Sequence, residues 1–356
     1  VGVHSGNGGI YLRRFCAMLL LLCLFILPVS AEITAPQVPE AGRKLMPDQT
    51  ESFSDGLRHI LKELLPILRP ELDQGLLTGA GLVAVCLLLS LVSADGAPVG
   101  RTVELVGAVS IAALLLGNAH TMIRMAADTV TEMSEYEKLL LPAVTAAMAA
   151  QGGINSATAL YAGSALFNTV LSALLGKLLL PVQYLYLAAA TAGAALGNDT
   201  LKSLKNLLKG MILWCMKTLL SLFTAYLGIT GVVSGSVDAA VVKAAKTTIS
   251  TLIPIVGGIL SDASEAVLVG AGLLRGAVGI YGILAILAVF LGPFSRIGVQ
   301  FLILKGAGAL CGLFGGKSAT GLIDDFGDVM RMLLAMTGGM CLLLLVSSVC
   351  FLKGVG

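Results

Sequence analysis

Apolar residues in this chain come in long, nearly uninterrupted runs, without the alternating or one-faced patterns of a water-facing domain. A helix that crosses a bilayer needs about 20 mainly apolar residues. Runs of this kind fall at 76–94, 103–119, 139–152, 154–176, 178–197, 211–233, 249–274, 277–292, 297–314 and 329–352. The pattern predicts an all-α fold, a polytopic integral membrane bundle with about ten apolar segments. Because 139–152 and 297–314 are short for a crossing, re-entrant or half-helices are expected to replace some spans.

The chain before these runs has a different texture. Arg13 and Arg14 precede an apolar stretch at 15–27, followed by Pro28-Val29-Ser30-Ala31 and Glu32. This is the layout of a secretory signal peptide; an uncleaved first membrane helix is the other reading. The following residues contain Pro36, Pro39 and Pro47 and read as an extended linker outside the membrane. Phe53, Leu57, Ile60, Leu61, Leu64 and Leu68 then recur at helical spacing opposite Asp55, Arg58, Lys62 and Glu63. Such an amphipathic helix either lies on the membrane surface or packs on the end of the bundle. Three regions result: 1–31 as signal segment or first helix, 32–75 as extracytoplasmic linker and amphipathic helix, and 76–356 as the polytopic membrane domain.

Composition narrows the function. The 356 residues are 56% hydrophobic and 12% charged, against about 25% charged in a soluble domain. Such a chain cannot clothe a water-facing surface, and its first partner is membrane lipid. Its net charge of +2 supplies no basic field for nucleic acid. The 43 glycines suit membrane helix interfaces, where small residues let backbones approach. The seven cysteines lie in apolar runs without a C-x-x-C pair, and His4, His59 and His120 are scattered, so neither a metal site nor a cofactor is expected. Lysine and arginine favour cytoplasmic loops. Lys202, Lys205 and Lys209 therefore place their segment in the cytoplasm, and counting back puts 120–138, with Asp128, Glu132, Glu135 and Glu137, outside. Beyond 233 the basic residues are spread over both expected sides and give no orientation.

Four glycine pairs stand four residues apart: Gly193 with Gly197, Gly231 with Gly235, Gly272 with Gly276, and Gly308 with Gly312. Their expected role is helix packing. The run Gly312-Leu313-Phe314-Gly315-Gly316-Lys317-Ser318 falls short of a phosphate-binding loop, because the required first glycine is Cys311; a helix-end loop is expected instead. The most informative stretch is 246–265, where Pro254, Gly257 and Gly258 interrupt an apolar run and Asp262 and Glu265 follow, with Arg275 beyond. Broken helices of this kind free backbone groups and line cavities, so these six residues are a candidate polar path. A plain loop between two short re-entrant pieces is the alternative. Nothing assembles a nucleophile, a base and an oxyanion donor, so there is no positive case for an enzyme.

The same stretch carries a resemblance. Residues 246–274 and Val278-Gly279-Ile280-Tyr281-Gly282, together with Leu291-Gly292-Pro293-Phe294, Ile297-Gly298-Val299-Gln300 and Ala309-Leu310-Cys311-Gly312-Leu313-Phe314-Gly315, resemble the stage III sporulation protein AE family. The resemblance runs from about Phe53 to the C-terminus. It implies a role in endospore formation, as the polytopic membrane component of the assembly linking the mother cell to the engulfed forespore. Other sporulation membrane proteins would be its partners, and the mother-cell membrane around the forespore its place. It transfers no catalytic residues. Three roles stay open: part of a channel or secretion-like complex that supports late forespore development, a self-contained small-molecule permease, or a membrane scaffold. No solute is named by the sequence.

Overall fold

The computed structural model describes residues 37–47, 52–94, 100–150, 154–229, 277–314 and 317–353. These residues form helices and the turns that join them. A short helix, α1 (Glu40–Arg43), precedes α2 (Phe53–Ala94), α3 (Gly100–Ala150) and α4 (Ile154–Leu174). A π-helical turn at Leu175–Leu179 joins α4 to α5 (Leu180–Leu196), and α6 (Asp199–Ile229), α7 (Ala277–Gly312) and α8 (Lys317–Lys353) complete the set.

Six helical stretches among the described residues are long and apolar enough to cross a membrane, which corrects the expected count of about ten. Several apolar runs turn out to be halves of one helix. The runs 103–119 and 139–152 both lie in α3, because the intervening Asp128, Glu132, Glu135 and Glu137 stand among residues that all tolerate helix, with no glycine or proline between them. The runs 154–176 and 178–197 are joined through the π-helical turn around Lys177. In α7 the interruption is Pro293, which removes one backbone bond without ending the helix, as membrane helices tolerate. Run 249–274 lies outside the described residues, as does the signal-like segment 1–31.

Two further expectations change. The linker before Phe53 is partly folded: α1 packs on α7, with Val38 and Leu45 buried and Gly42 against Val289. The amphipathic stretch and the first apolar run form the single helix α2. At 1.5 Å per residue, the 51 residues of α3 extend about 77 Å, well beyond the roughly 30 Å of a hydrocarbon layer. Helices this long have room for polar residues outside the lipid without a break in the backbone.

Contacts between helices fix the register. Helices α2 and α3 are antiparallel neighbours, with Gly107 against Leu89 and Gly81 near Leu114. Helix α7 runs parallel to α2, since Gly56 meets Leu284 and Gly75 meets Ile303. It turns back into α8, where Gly308 lies against Ile323 and Gly312 near Thr320. Helices α4 and α6 cross antiparallel, Gly163 being covered by the ring of Tyr226 and Phe167 packing edge-on to Phe223. Helix α8 is the axis of the bundle: 94% of its most apolar window is buried, against 22–33% for the spans in α2 to α6. Helices α3, α4, α5, α6 and α7 all contact it.

Candidate functional site

Charge gathers around the first half of α8. Asp324, Asp325, Asp328 and Arg331 follow one another within three turns, so they face several neighbouring helices at once. Lys205 and Lys209 of α6 stand four residues apart on one helix face and meet α8 in parallel register. The Lys205 Nζ is 2.5 Å from Asp325 Oδ2, and the Lys209 Nζ is 2.5 Å from Asp328 Oδ2. The Tyr186 hydroxyl, from α5, donates to the other oxygen of Asp325 at 3.0 Å. Arg331 holds Asp328 Oδ1 at 3.3 Å, and its guanidinium lies 5.5 Å from the Phe301 ring centre. On the outer side, the Lys305 Nζ of α7 reaches Asp324 at 2.6 Å. Three helices, α6, α7 and α8, are thus tied at one level by matched charges, and α5 joins them through the Tyr186 hydrogen bond.

Burial sets the strength of these contacts. Asp325 is 7% exposed and the Asp328 side chain 13%, whereas Asp324 and Lys305 are 47% and 38% exposed. A charge removed from water needs an opposite charge and its hydrogen bonds, so the inner pairs depend on each other far more than the outer one.

A second polar feature lies at the middle of α3 and α7 under the α1 strap. It is an open groove of about 930 Å³ with Arg43, Lys44, Arg124 and Arg296 on one side of the charge balance and Glu40, Asp128 and Glu132 on the other. Its walls are cross-linked. Glu132 accepts from the Ala41 backbone N–H at 3.3 Å, Arg296 is 3.5 Å from Glu71, and Tyr184 is hydrogen-bonded to His120 at 3.0 Å. The groove's mixed lining would suit a ligand or a water-filled path that carries both charge and apolar surface.

The sequence-predicted residues are placed as follows. Pro254, Gly257, Gly258, Asp262, Glu265 and Arg275 lie outside the described residues, as do Gly231, Gly235, Gly272 and Gly276. Gly308 and Gly312 both face α8 across the α7–α8 hairpin. Gly193 lies close to Leu201, while Gly197 is one residue past the end of α5. With φ at 64°, Gly197 adopts the left-handed conformation that ends a helix, and its N–H bonds back to Gly193. Lys205 and Lys209 belong to α6 and are paired with α8, which corrects their reading as residues of a loop. The stretch 120–138 is likewise the interior of α3, not a connecting segment. At the near phosphate-loop, Leu313 and Phe314 form a turn after α7, and α8 starts at Lys317.

Sequence reasoning missed Asp324, Asp325, Asp328, Arg331 and Tyr186. The last apolar segment was expected to start at 329, which left three aspartates in a connection. One signal was available: lysines at i, i+4 and aspartates at i, i+3 are spacings that align on helix faces.

Six stretches among the described residues are long and apolar enough to cross a membrane, the buried α8 being one of them, and with ionic groups matched inside they define a polytopic α-helical membrane protein. The family profile described as Stage III sporulation protein AE matches residues 44–353, and the chain belongs to that family. The Stage III sporulation protein AE of Bacillus subtilis (strain 168) is 22% identical over 211 residues, covering 59% of this chain and 53% of the relative. The chain thus spans about half the length of the curated relative it matches. No solved structure matches it.

Proposed function

We propose that this protein is a membrane component of the channel or secretion-like complex between mother cell and forespore, required for endospore formation and late forespore development. It sits in the mother-cell membrane around the forespore, with other sporulation membrane proteins as partners, and its role is transport or assembly without catalysis. The observation that carries this reading is the family match across 44–353. One feature favours a conducting role over a bare anchor: the mixed-charge groove under α1. In this reading Pro254, Gly257, Gly258, Asp262, Glu265 and Arg275 supply a further part of the polar path, since helix breakers and charges coincide there in an apolar stretch.

A self-contained permease is the second reading, favoured by the size of the groove, about 930 Å³. The two separate in one experiment. The tagged chain is captured from sporulating cells with its co-purifying membrane proteins, and liposomes holding either the capture or the chain alone are assayed for small-solute efflux. Efflux from the capture alone supports the channel component, and efflux from the chain by itself supports the permease. Efflux from neither leaves a scaffold. Within the channel reading, Asp262→Asn with Glu265→Gln lowers spore yield at normal protein level; wild-type yield removes those residues from the path.

A further inference from the structure

The bundle contains a second polar level, unlike the ion-paired one. Glu137 of α3 is 1% exposed, and neither of its carboxylate oxygens has a hydrogen-bond partner among the described residues. Ser164 and Asn168 of α4 are 0% and 3% exposed, and Ser347 of α8 is 1% exposed; the Ser164 Oγ, the Asn168 Oδ1 and the Ser347 Oγ are likewise without partners there. These are five oxygen atoms on three mutually contacting helices.

Register brings the four residues to one height. Leu140 of α3 lies against Gly282 of α7, and the antiparallel α7–α8 hairpin, extended from Gly308 opposite Asp324, puts Gly282 level with the last turns of α8, where Ser347 stands. From the other side, Gly163 meets Tyr226 and Phe167 meets Phe223, while Gly339 of α8 meets Met216 in the parallel α6–α8 pair, so Ser347 is level with Ser164. The faces agree as well. Ser164 and Asn168 share the inward stripe of α4 with Leu160, Leu171 and Leu175. Ser347 continues the α8 stripe through Met340 and Leu343 from Met336, whose sulfur accepts from Gln183 of the α4–α5 side.

We propose that Glu137, Ser164, Asn168 and Ser347 form a site for a monovalent alkali cation inside the bundle. All the unpartnered atoms are oxygens, the donor set of a hard cation. Among the described residues Glu137 is the one buried carboxylate at this level, Glu135 being exposed, so a single positive charge neutralises it, whereas a divalent ion would leave an excess charge in a low-dielectric interior. A carboxylate this deep, with buried hydroxyl and amide oxygens at the same height on the neighbouring helices, has in a cation the partner that the described side chains do not supply.

The test uses the full chain purified in detergent, with NaCl, KCl or N-methyl-D-glucamine chloride at equal ionic strength. Sodium or potassium is expected to raise Tm by about 3 °C or more relative to N-methyl-D-glucamine, with a saturable midpoint. Glu137→Gln abolishes that shift, and Asn168→Ala and Ser164→Ala each move the midpoint about tenfold higher while the carboxylate is retained. Should Glu137→Gln fail to fold, the two milder variants decide. Equal melting of the wild type in all three salts overturns the site. So does a cation shift that survives Glu137→Gln, or a midpoint unmoved by both milder variants.

Discussion

The two polar levels of this bundle handle buried charge in opposite ways. Around the first half of α8, every aspartate has its cation within the protein: Lys205 for Asp325, Lys209 and Arg331 for Asp328, and Lys305 for Asp324. Toward the far end of α8, Glu137 is more deeply buried than any of them and has no partner among the described residues. Burial penalises both, but the first level is complete by itself and belongs to the architecture, whereas the second is complete only with something added. A functional site in a membrane bundle is therefore better sought at unmatched polar groups than at the largest collection of charges.

This contrast can be broken most forcefully at Asp325. Its replacement by alanine leaves the Lys205 ammonium and the Tyr186 hydroxyl facing a buried gap, and removing one partner of a buried pair costs about 3–5 kcal/mol. Asp325→Ala is expected to lose most of the folded protein, read as abundance in membranes and as Tm in detergent. Lys205→Met together with Asp325→Leu should recover much of that loss. If the double variant is no better than the single one, the pair is not the source of the stability.

Lys209→Met is the next largest effect. Asp328 keeps Arg331 at 3.3 Å, so the loss should be about 1–3 kcal/mol, and pairing with Arg331→Met should be more than additive. Lys305→Ala comes lower still, at about 0–1 kcal/mol, because its contact with Asp324 is half exposed and screened by salt. Melting curves at low and high ionic strength separate the two: the Lys305 effect fades with salt and the Lys209 effect persists. Smallest of all is Lys202→Ala, whose bridge to Asp199 lies in solvent and should leave Tm unchanged.

Much of the fold was legible because lipid imposes a simple code: apolar runs of sufficient length must be helical, and the all-α membrane class followed from them. The number of crossings was not, since hydropathy reads a polar interruption as an end. Asp128 to Glu137 interrupts apolarity but not helix, and Pro293 costs one backbone bond, so α3 and α7 each read as two segments. The charge layer was half legible. Lys205 and Lys209 stood out as basic residues, but positive residues near a span end have two destinies, cytoplasmic water or a carboxylate on another helix, and only tertiary register distinguishes them. Glu137 was hidden for a related reason. Among four acidic residues of one segment, the partly exposed Glu132 and the buried Glu137 look alike until the face each occupies is known.

The sharpest comparison puts Asp325→Asn and Glu137→Gln side by side in sporulating cells, with membrane abundance of the protein and spore yield measured from the same cultures. Both changes conserve shape and remove one negative charge. The account predicts that Asp325→Asn lowers abundance, with spore yield falling in step, whereas Glu137→Gln leaves abundance near wild type and lowers spore yield alone. Equal loss of abundance in both variants, or a Glu137→Gln strain that sporulates as well as wild type, would contradict it.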